Sequence, residues 1–294
     1  MIFKSYAKIN LVLDVVKKRK DGYHDLDMVM LPIEIFDSIE IIPIQQGSTH
    51  IICDAFDKKT KGYSNTCYKV LQFFNKTYKK STKYEIEISK EIPISSGLGG
   101  GSSNAATLFK ALCLTNKITP TQKEVSQLAK KVGADVPFFV YDSPAHVTGI
   151  GEKVELINYK KVLPVLIIMP SEGLLTKDVF AKCDKYKMKH YDVKQVLEDL
   201  KNDNLKAVSE HAGNSLEEVA ARLNPEINEI ISAVKEEGFS LCHMSGSGAS
   251  IFVICEKEKE LAKLAKKIKK KFKCTTYLTC TRVVKDKHKF LVKK

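Results

Sequence analysis

No stretch of the sequence approaches the roughly 20 consecutive apolar residues that a membrane-spanning helix requires. The opening "MIFKSYAKIN" lacks a basic segment followed by an apolar one, so no secretory leader is expected and a soluble, cytoplasmic protein is. Eight cysteines are present, yet none forms a CxxC pair or a His/Cys cluster at zinc spacing, which argues against a structural zinc site. Their neighbours, as in "HIICDA" and "FVICEK", are apolar and strand-like, the setting of buried reduced thiols rather than disulfides. Internal repeats and low-complexity linkers are also missing. At 294 residues the chain therefore reads as one large or two modest globular domains.

Acidic residues are in the minority: 35 against 48 lysines and arginines, a net charge of +13. Such an excess raises the question of a nucleic-acid partner. The lysines are spread along the whole chain, however, and in "EKELAKLAKKIKKKFK" Leu261, Leu264, Ile268 and Phe272 recur at helical spacing. That pattern makes the lysines the solvated back of a packed helix. No nucleic-acid or membrane partner is expected, and the positive field favours an anionic small-molecule substrate.

In the N-terminal part Ala7, Ile9, Leu11, Leu13 and Val15 alternate with Lys8, Asn10 and Asp14, the pattern of a half-buried strand. A polar loop "KKRKDGYHD", strand-like runs "SIEIIPI" and "THIICDA", and a helix from Asn65, placed as its cap, come next. "KYEIEIS" alternates again. Thr121 and Glu124 form a capping box for a helix ending near Gly133. Strands first and helices after indicate an α+β layer. Beyond residue 158 the order is "VLPVLIIMP", polar helices from Thr176 to Leu223, a helix with Asn224 as cap and Gly238 as stop, "SLCHM", "ASIFVIC", the lysine-rich helix and "TTYLTCTRVV". That is β-α-β-β-α-β, a split βαβ or ferredoxin-like layer with a helical insertion. The division expected is 1–157 and 158–294, with a soft boundary.

Between "KYEIEIS" and a good helix lies "EIPISSGLGGGSSNAA". Gly97, Gly99, Gly100 and Gly101 let the backbone approach a ligand, and Ser102 and Ser103 are placed to open the helix. The unpaired N–H groups of a helix start, with the positive end of its dipole, suit a phosphate. A Walker A loop needs Gly-Lys-Ser/Thr, which is missing. A Rossmann turn needs a third glycine and a following parallel strand, which are missing too.

"PISSGLGGGSSNAA" resembles the second motif of the GHMP kinase superfamily, and "MSGSGASIFVI" resembles its third. "YAKINLVLDVVKKRKDGYHDLDMVM", "GADVPFF" and "TGIGEKVE" are similar to the branch acting on a cytidine-diphosphate-linked methylerythritol. The resemblance runs from Lys8 to Phe252. It implies a two-domain fold, a ribosomal-S5-like N-terminal domain followed by a ferredoxin-like one. It also implies transfer of the ATP γ-phosphate to the substrate's tertiary 2-hydroxyl, with ATP and Mg2+ required.

Local sequence alone makes Asp135 a turn aspartate before a buried strand and Lys8 an ordinary solvated lysine; the resemblance makes them proton acceptor and catalytic lysine. It implies nucleotide contacts from Lys90, Pro93, Gly97, Leu98, Gly99, Gly100, Gly101, Ser102, Ser103 and Asn104. Asn10 and Thr176 are expected at the substrate. Tyr23 and Phe180 would stack on the cytosine while His24 reads its edge. The magnesium ligands are left unassigned, with Ser103 a weak candidate. Two departures from the family pattern are visible: Ser95 and Ser96 stand where glycine or alanine is usual, tightening the loop entrance, and "FDSI" replaces a "GD" turn, a change expected to be neutral. A kinase of mevalonate or homoserine, or a basic RNA-binding protein with an S5-like fold, remain as other readings.

Overall fold

The computed structural model describes residues 1–54, 66–284 and 290–293. The expected cap Asn65 and the Ala55 end of "THIICDA" lie outside the described residues. A long antiparallel hairpin, β1 (Ile2–Lys18) and β2 (His24–Ile44), opens the chain. It is followed by β3 (His50–Cys53), α1 (Thr66–Tyr78), β4 (Lys83–Ser89), α2 (Gly100–Thr115) and α3 (Gln122–Lys131). Then come α4 (Val136–Tyr141), β5 (Ala145–Gly149) and β6 (Lys153–Leu156). The second half runs β7 (Pro164–Met169), α5 (Thr176–Cys183), α6 (Val193–Lys201), α7 (Leu205–His211) and β8 (Gly213–Asn214). It closes with α8 (Glu217–Leu223), α9 (Glu226–Glu236), β9 (Cys242–Met244), β10 (Ile251–Ile254), α10 (Glu258–Lys271) and β11 (Thr275–Cys280).

Two sheets result. The first has the order β3-β4-β2-β1-β8, with β5 and β6 branching from β2; the second has the order β11-β7-β10-β9. The second order is the ferredoxin-like arrangement expected from "VLPVLIIMP" onward, with α5 to α8 as the helical insertion. Together they make the two-domain α+β fold that the resemblance implies. In α10, Leu261, Leu264 and Ile268 are buried while the lysines line the solvent side, as the spacing indicates. No helix among the described residues is long and apolar enough to cross a membrane.

The first strand differs from expectation. It is covered on both faces, and Lys8 and Asn10 are only 2% and 1% exposed. A register shift between Asn10 and Val12 inserts one extra residue into β1. A bulge of this kind reverses which face the following side chains occupy. Leu13 and Val15 consequently join one core with Phe109 and Phe138, whereas Ala7, Ile9 and Leu11 join another with Val165, Ile167 and Phe252. That second core is where the two sheets meet, so both halves of the chain share it. Other differences are smaller. The strand β2 starts at His24, well before "SIEIIPI", and α9 begins after Pro225, although Asn224 Oδ1 still accepts from the Glu226 N–H at 3.1 Å.

The capping box of α3 forms as the sequence indicates. Thr121 Oγ1 accepts from the Glu124 N–H at 3.3 Å, and Glu124 Oε2 accepts from the Thr121 N–H at 2.7 Å. Replacing such a cap by alanine costs about 1 kcal/mol. Thr121→Ala is therefore expected to lower the unfolding free energy in urea by about that much, with turnover unchanged. An unchanged denaturation midpoint would contradict the role of the cap.

Candidate active site

The glycine stretch leaves β4 and turns into α2 while pressed against the turn that joins β9 to β10. Ser96 O accepts from the Ser250 N–H at 3.0 Å and from Ser250 Oγ at 2.5 Å. Gly97 has φ +76°, and a Cβ there would lie 2.1 Å from the Ser245 carbonyl oxygen. Any side chain at this position forces the two turns apart. Gly99 also has φ +76°, and its absent Cβ clears the Phe139 ring, which would otherwise stand 2.7 Å away. The Ser96 hydroxyl donates to Pro93 O at 2.7 Å, across the start of the loop. Leu98, fully buried, fixes the loop from beneath.

Helix α2 starts at Gly100, two residues earlier than expected, so Gly100 and Gly101 open it, with Ser102 and Ser103 completing the first turn. The Ser103 N–H already donates to Gly99 O at 2.9 Å. The N–H groups of Gly99, Gly100, Gly101 and Ser102 have no partner among the described residues. These are the donors a helix start offers to an anion. The Ser103 hydroxyl is not one of them: it donates to Tyr6 O at 2.5 Å and accepts from Ser5 Oγ at 2.7 Å. It is spent on holding α2 to β1 and is a poor magnesium ligand.

Asp37 is the residue that sequence reasoning missed. Read as part of a neutral "FDSI" departure, it is fully buried within β2. It accepts from the Glu91 N–H at 2.9 Å, the Ile92 N–H at 2.8 Å and Asn104 Nδ2 at 2.7 Å, and it pairs with the Lys90 ammonium. Asn104 Nδ2 lies 3.0 Å from Ser5 Oγ, to which it also donates, and Asn104 Oδ1 accepts from Lys90 Nζ at 3.3 Å. The side chains of Lys90 and Asn104, expected at the nucleotide, are thus turned towards Asp37. They anchor both ends of the loop. The sequence alone does not single it out, because β2 also carries Asp25, Asp27, Glu34 and Glu40; full burial is what sets Asp37 apart.

Lys8 and Asp135 come together. Their charged groups stand 3.6 Å apart, Lys8 buried and the Asp135 side chain 29% exposed. Asp135 precedes a helix, α4, and not the expected strand; "VPFF" is a first helical turn with proline near its start, where the missing N–H costs nothing. The Asp135 carboxylate makes no cap bond to that helix, which leaves it to face Lys8. Burial pulls the Lys8 ammonium below the ordinary lysine range, and the Asp135 charge opposes the shift. Lys8 Nζ also donates to Asn10 Oδ1 at 2.5 Å, and a Cβ on Gly246 would come within 3.1 Å of it. The Lys8 N–H donates to Leu98 O at 3.0 Å, and the Asn10 N–H to Ser245 Oγ at 3.3 Å. The lysine therefore sits where β1, the glycine loop and the β9–β10 turn converge.

A second cluster lies at the end of the β1–β2 hairpin. His24 is 7% exposed, its Nε2 is 2.8 Å from Asp184 Oδ1, and its ring centre is 5.3 Å from that of Phe180 at an angle of 34°. The Asp184 carboxyl is held below the usual carboxylate range by His24 and by Lys18 Nζ, 2.5 Å from Oδ2. Burial pushes the neighbouring Cys183 thiol up to about 11. Tyr23 is 46% exposed and makes no ring contact with Phe180 among the described residues. Thr176 Oγ1 is 2.8 Å from Ser247 Oγ, tying the start of α5 to the β9–β10 turn. Asp184 carried no signal in the sequence, since its partner lies 160 residues away.

Residues 65–143 match the family profile of the GHMP kinases N-terminal domain, and residues 196–274 that of the GHMP kinases C-terminal domain. A 4-diphosphocytidyl-2-C-methyl-D-erythritol kinase of Clostridium botulinum is 38% identical over 254 residues, covering 86% of this chain and 90% of that protein. A putative 4-diphosphocytidyl-2-C-methyl-D-erythritol kinase of Streptococcus uberis is 32% identical over 269 residues, covering 92% and 95%. A crystal structure of 4-(cytidine 5'-diphospho)-2C-methyl-D-erythritol kinase superposes with a TM-score of 0.76 at 26% identity, over 96% of this chain and 99% of the other. A homoserine kinase from Cytophaga hutchinsonii, with a TM-score of 0.72 at 18% identity over 96% and 95%, shares the fold.

Removing one partner of a buried ion pair costs about 3–5 kcal/mol, because the other charge is stranded. Asp37→Ala should lower the unfolding free energy by that order, and Asp37→Ala/Lys90→Met should recover most of it. A single variant as stable as the parent protein would contradict the anchoring role.

Proposed function

We infer that this chain, which belongs to the GHMP kinases and among them to the 4-diphosphocytidyl-2-C-methyl-D-erythritol kinases, transfers the γ-phosphate of ATP to the 2-hydroxyl of 4-diphosphocytidyl-2-C-methyl-D-erythritol. The step belongs to non-mevalonate isoprenoid precursor synthesis. The observation that carries the chemistry is the Lys8–Asp135 pair set beside a row of unpaired main-chain amides.

A tertiary alcohol is a weak nucleophile, and phosphoryl transfer depends on alignment and charge stabilisation more than on covalent help from the protein. Asp135, partly exposed and not committed to a cap, takes the hydroxyl proton as the new O–P bond forms. The bond from the γ-phosphorus to the bridging oxygen breaks, and ADP leaves. The Lys8 ammonium stabilises the developing alkoxide, and Asn10 fixes that ammonium through its own carbonyl oxygen. The amides of Gly99 to Ser102 hold the phosphates. Pro93, Gly97 and Leu98 shape that cradle, while Lys90 and Asn104 keep it in place from below.

Magnesium, when bound, neutralises phosphate charge. With the Ser103 hydroxyl committed to Tyr6 and Ser5, and no cluster of three acidic, His or Cys ligands at the cradle among the described residues, the ion would be carried in on the nucleotide's own oxygens. At the far end Tyr23 and Phe180 flank the cytosine and His24 reads its edge. In the tautomer that donates Nε2–H to Asp184, Nδ1 is the acceptor offered to the cytosine amino group. Stacking alone tolerates any base, so this edge contact gives the pyrimidine selectivity. Thr176 helps to place the substrate against the β9–β10 turn.

The direct assay is ATP consumption with and without the cytidylyl substrate. Turnover that depends on the cytidine moiety supports this reading. Turnover on mevalonate or homoserine alone would overturn it, and so would salt-sensitive RNA binding with no ATP turnover.

Asp135→Asn should cut turnover by at least about 100-fold, the lower range for a positioned proton acceptor, with ATP and substrate still bound in calorimetry. Near-normal turnover would remove the assignment. Tyr23→Ala and Phe180→Ala should each raise KM for the cytidylyl substrate far more than KM for ATP; equal effects on both would discredit the cytosine pocket.

A further inference from the structure

We propose that His24, Cys183 and Asp184 form a binding site for a thiolate-preferring divalent transition-metal ion of the zinc class, at the edge of the pyrimidine pocket. Among the described residues this is the one group of three or more His, Cys, Asp or Glu whose ligand atoms cluster closely enough to share an ion. It joins the start of β2 to the last turn of α5, 159 residues apart, so no spacing in the sequence announces it.

The geometry fits. Cys183 Sγ is 3.5 Å from His24 Nε2, His24 Nε2 is 2.8 Å from Asp184 Oδ1, and Cys183 Sγ is 4.0 Å from Asp184 Oδ1. With the usual zinc bond lengths and tetrahedral angles, the three ligand atoms would stand about 3.3–3.6 Å apart. One side of the triangle already has that length, and each of the others needs a change of about 0.5 Å, within reach of side-chain rotation. The donor set decides the class of metal. Sulfur, imidazole nitrogen and one carboxylate oxygen suit zinc and cobalt, whereas magnesium and calcium select oxygen alone.

The surroundings support an ion as well. His24 and Cys183 are buried, which shields the soft ligands, and the Asp184 side chain is 28% exposed, which provides entry and a fourth position for water. Lys18 holds Asp184 by Oδ2 and leaves Oδ1 directed at the cluster. A partner bound to the far side of a ligand in this way orients it. The Cys183 thiol donates to Phe180 O at 3.1 Å. On metal binding its S–H bond breaks, the proton passes to solvent, and sulfur donates its electron pair to the ion.

A consequence for turnover rests on the function proposed above. An ion on Nε2 moves the imidazole proton to Nδ1, so the ring presents a donor where the cytosine amino group requires an acceptor. The ion should weaken the cytidylyl substrate and leave ATP untouched.

The test is titration of the full chain with cobalt(II) alone. The expected result is one equivalent bound, with tetrahedral visible bands and a near-ultraviolet sulfur-to-cobalt band, both abolished by added zinc. Cys183→Ser should lose the sulfur band. Asp184→Asn should bind at least about tenfold more weakly, the lower range even for outer-shell partners, and its circular dichroism establishes folding independently. Absence of a sulfur band in the parent chain, or its persistence in Cys183→Ser, would overturn the site. In the kinetic arm zinc should raise KM for the cytidylyl substrate and not for ATP, and Cys183→Ser should turn over normally without responding to zinc. Cobalt binding with no change in that KM keeps the metal site and overturns the placing of His24 at the cytosine.

Discussion

Two glycine turns, one from each half of the chain, touch backbone to backbone, and the site depends on that contact. Gly97 approaches Ser245 so closely that no Cβ fits between them. Ser96 and Ser250 are joined by two hydrogen bonds on one side, and Ser245 Oγ donates to Gly97 O at 3.2 Å on the other. The turn is braced from behind by Asn214, whose Nδ2 donates to Met244 O at 2.8 Å and Gly246 O at 2.7 Å. The Gly97 approach to Ser245 O and the Ser250 N–H bond to Ser96 O are stiff because they are main chain on both sides, with no rotamer to change. They fix where α2 begins, and therefore where its unpaired amides point. They also roof the Lys8 ammonium.

The two lysines of the site, Lys8 buried and Lys90 partly so, illustrate how similar pairs serve different ends. Lys90 is matched by an Asp37 that also satisfies two main-chain N–H groups and an amide. That is a closed network, and it acts as an anchor. Lys8 has the neutral Asn10 Oδ1 at 2.5 Å but a charged partner only at 3.6 Å, and that carboxylate keeps part of its surface for solvent or ligand. An attraction of about 4 kcal/mol between charges near 4 Å at a protein surface is comparable to the several kcal/mol needed to bury an ion. The downward shift at Lys8 shows burial to be the larger. An incompletely matched cation beside the amides of the helix start attracts negative charge, as a phosphoryl group supplies.

The α+β class, the ferredoxin-like order of the second half, the capping box at Thr121 and the loop itself were legible because each depends on local chemistry. The lysine-rich helix was legible for the same reason. What the sequence concealed came from long-range packing. Alternation in β1 reads as one polar and one apolar face, but a bulge at Leu11 and cover from both halves bury Lys8 and Asn10. Asp135 reads as a turn residue before a strand because "VPFFVY" is apolar throughout, and apolar runs do not reveal whether they are helix or strand. Asp37 and Asp184 become meaningful only through Lys90, Asn104, His24 and Lys18, which approach from other elements. Lys90, Ser103 and Asn104 lie in the right stretch, yet their side chains face inward.

The central claim is that the amides at the start of α2 grip a nucleotide's phosphates next to Lys8. Amide chemical shifts of Gly99, Gly100, Gly101 and Ser102, followed while a non-hydrolysable magnesium-ATP analogue is added, test it most directly. The account predicts that these four move together and furthest, saturating with the nucleotide. Saturable binding that leaves them unmoved while amides elsewhere shift would contradict it.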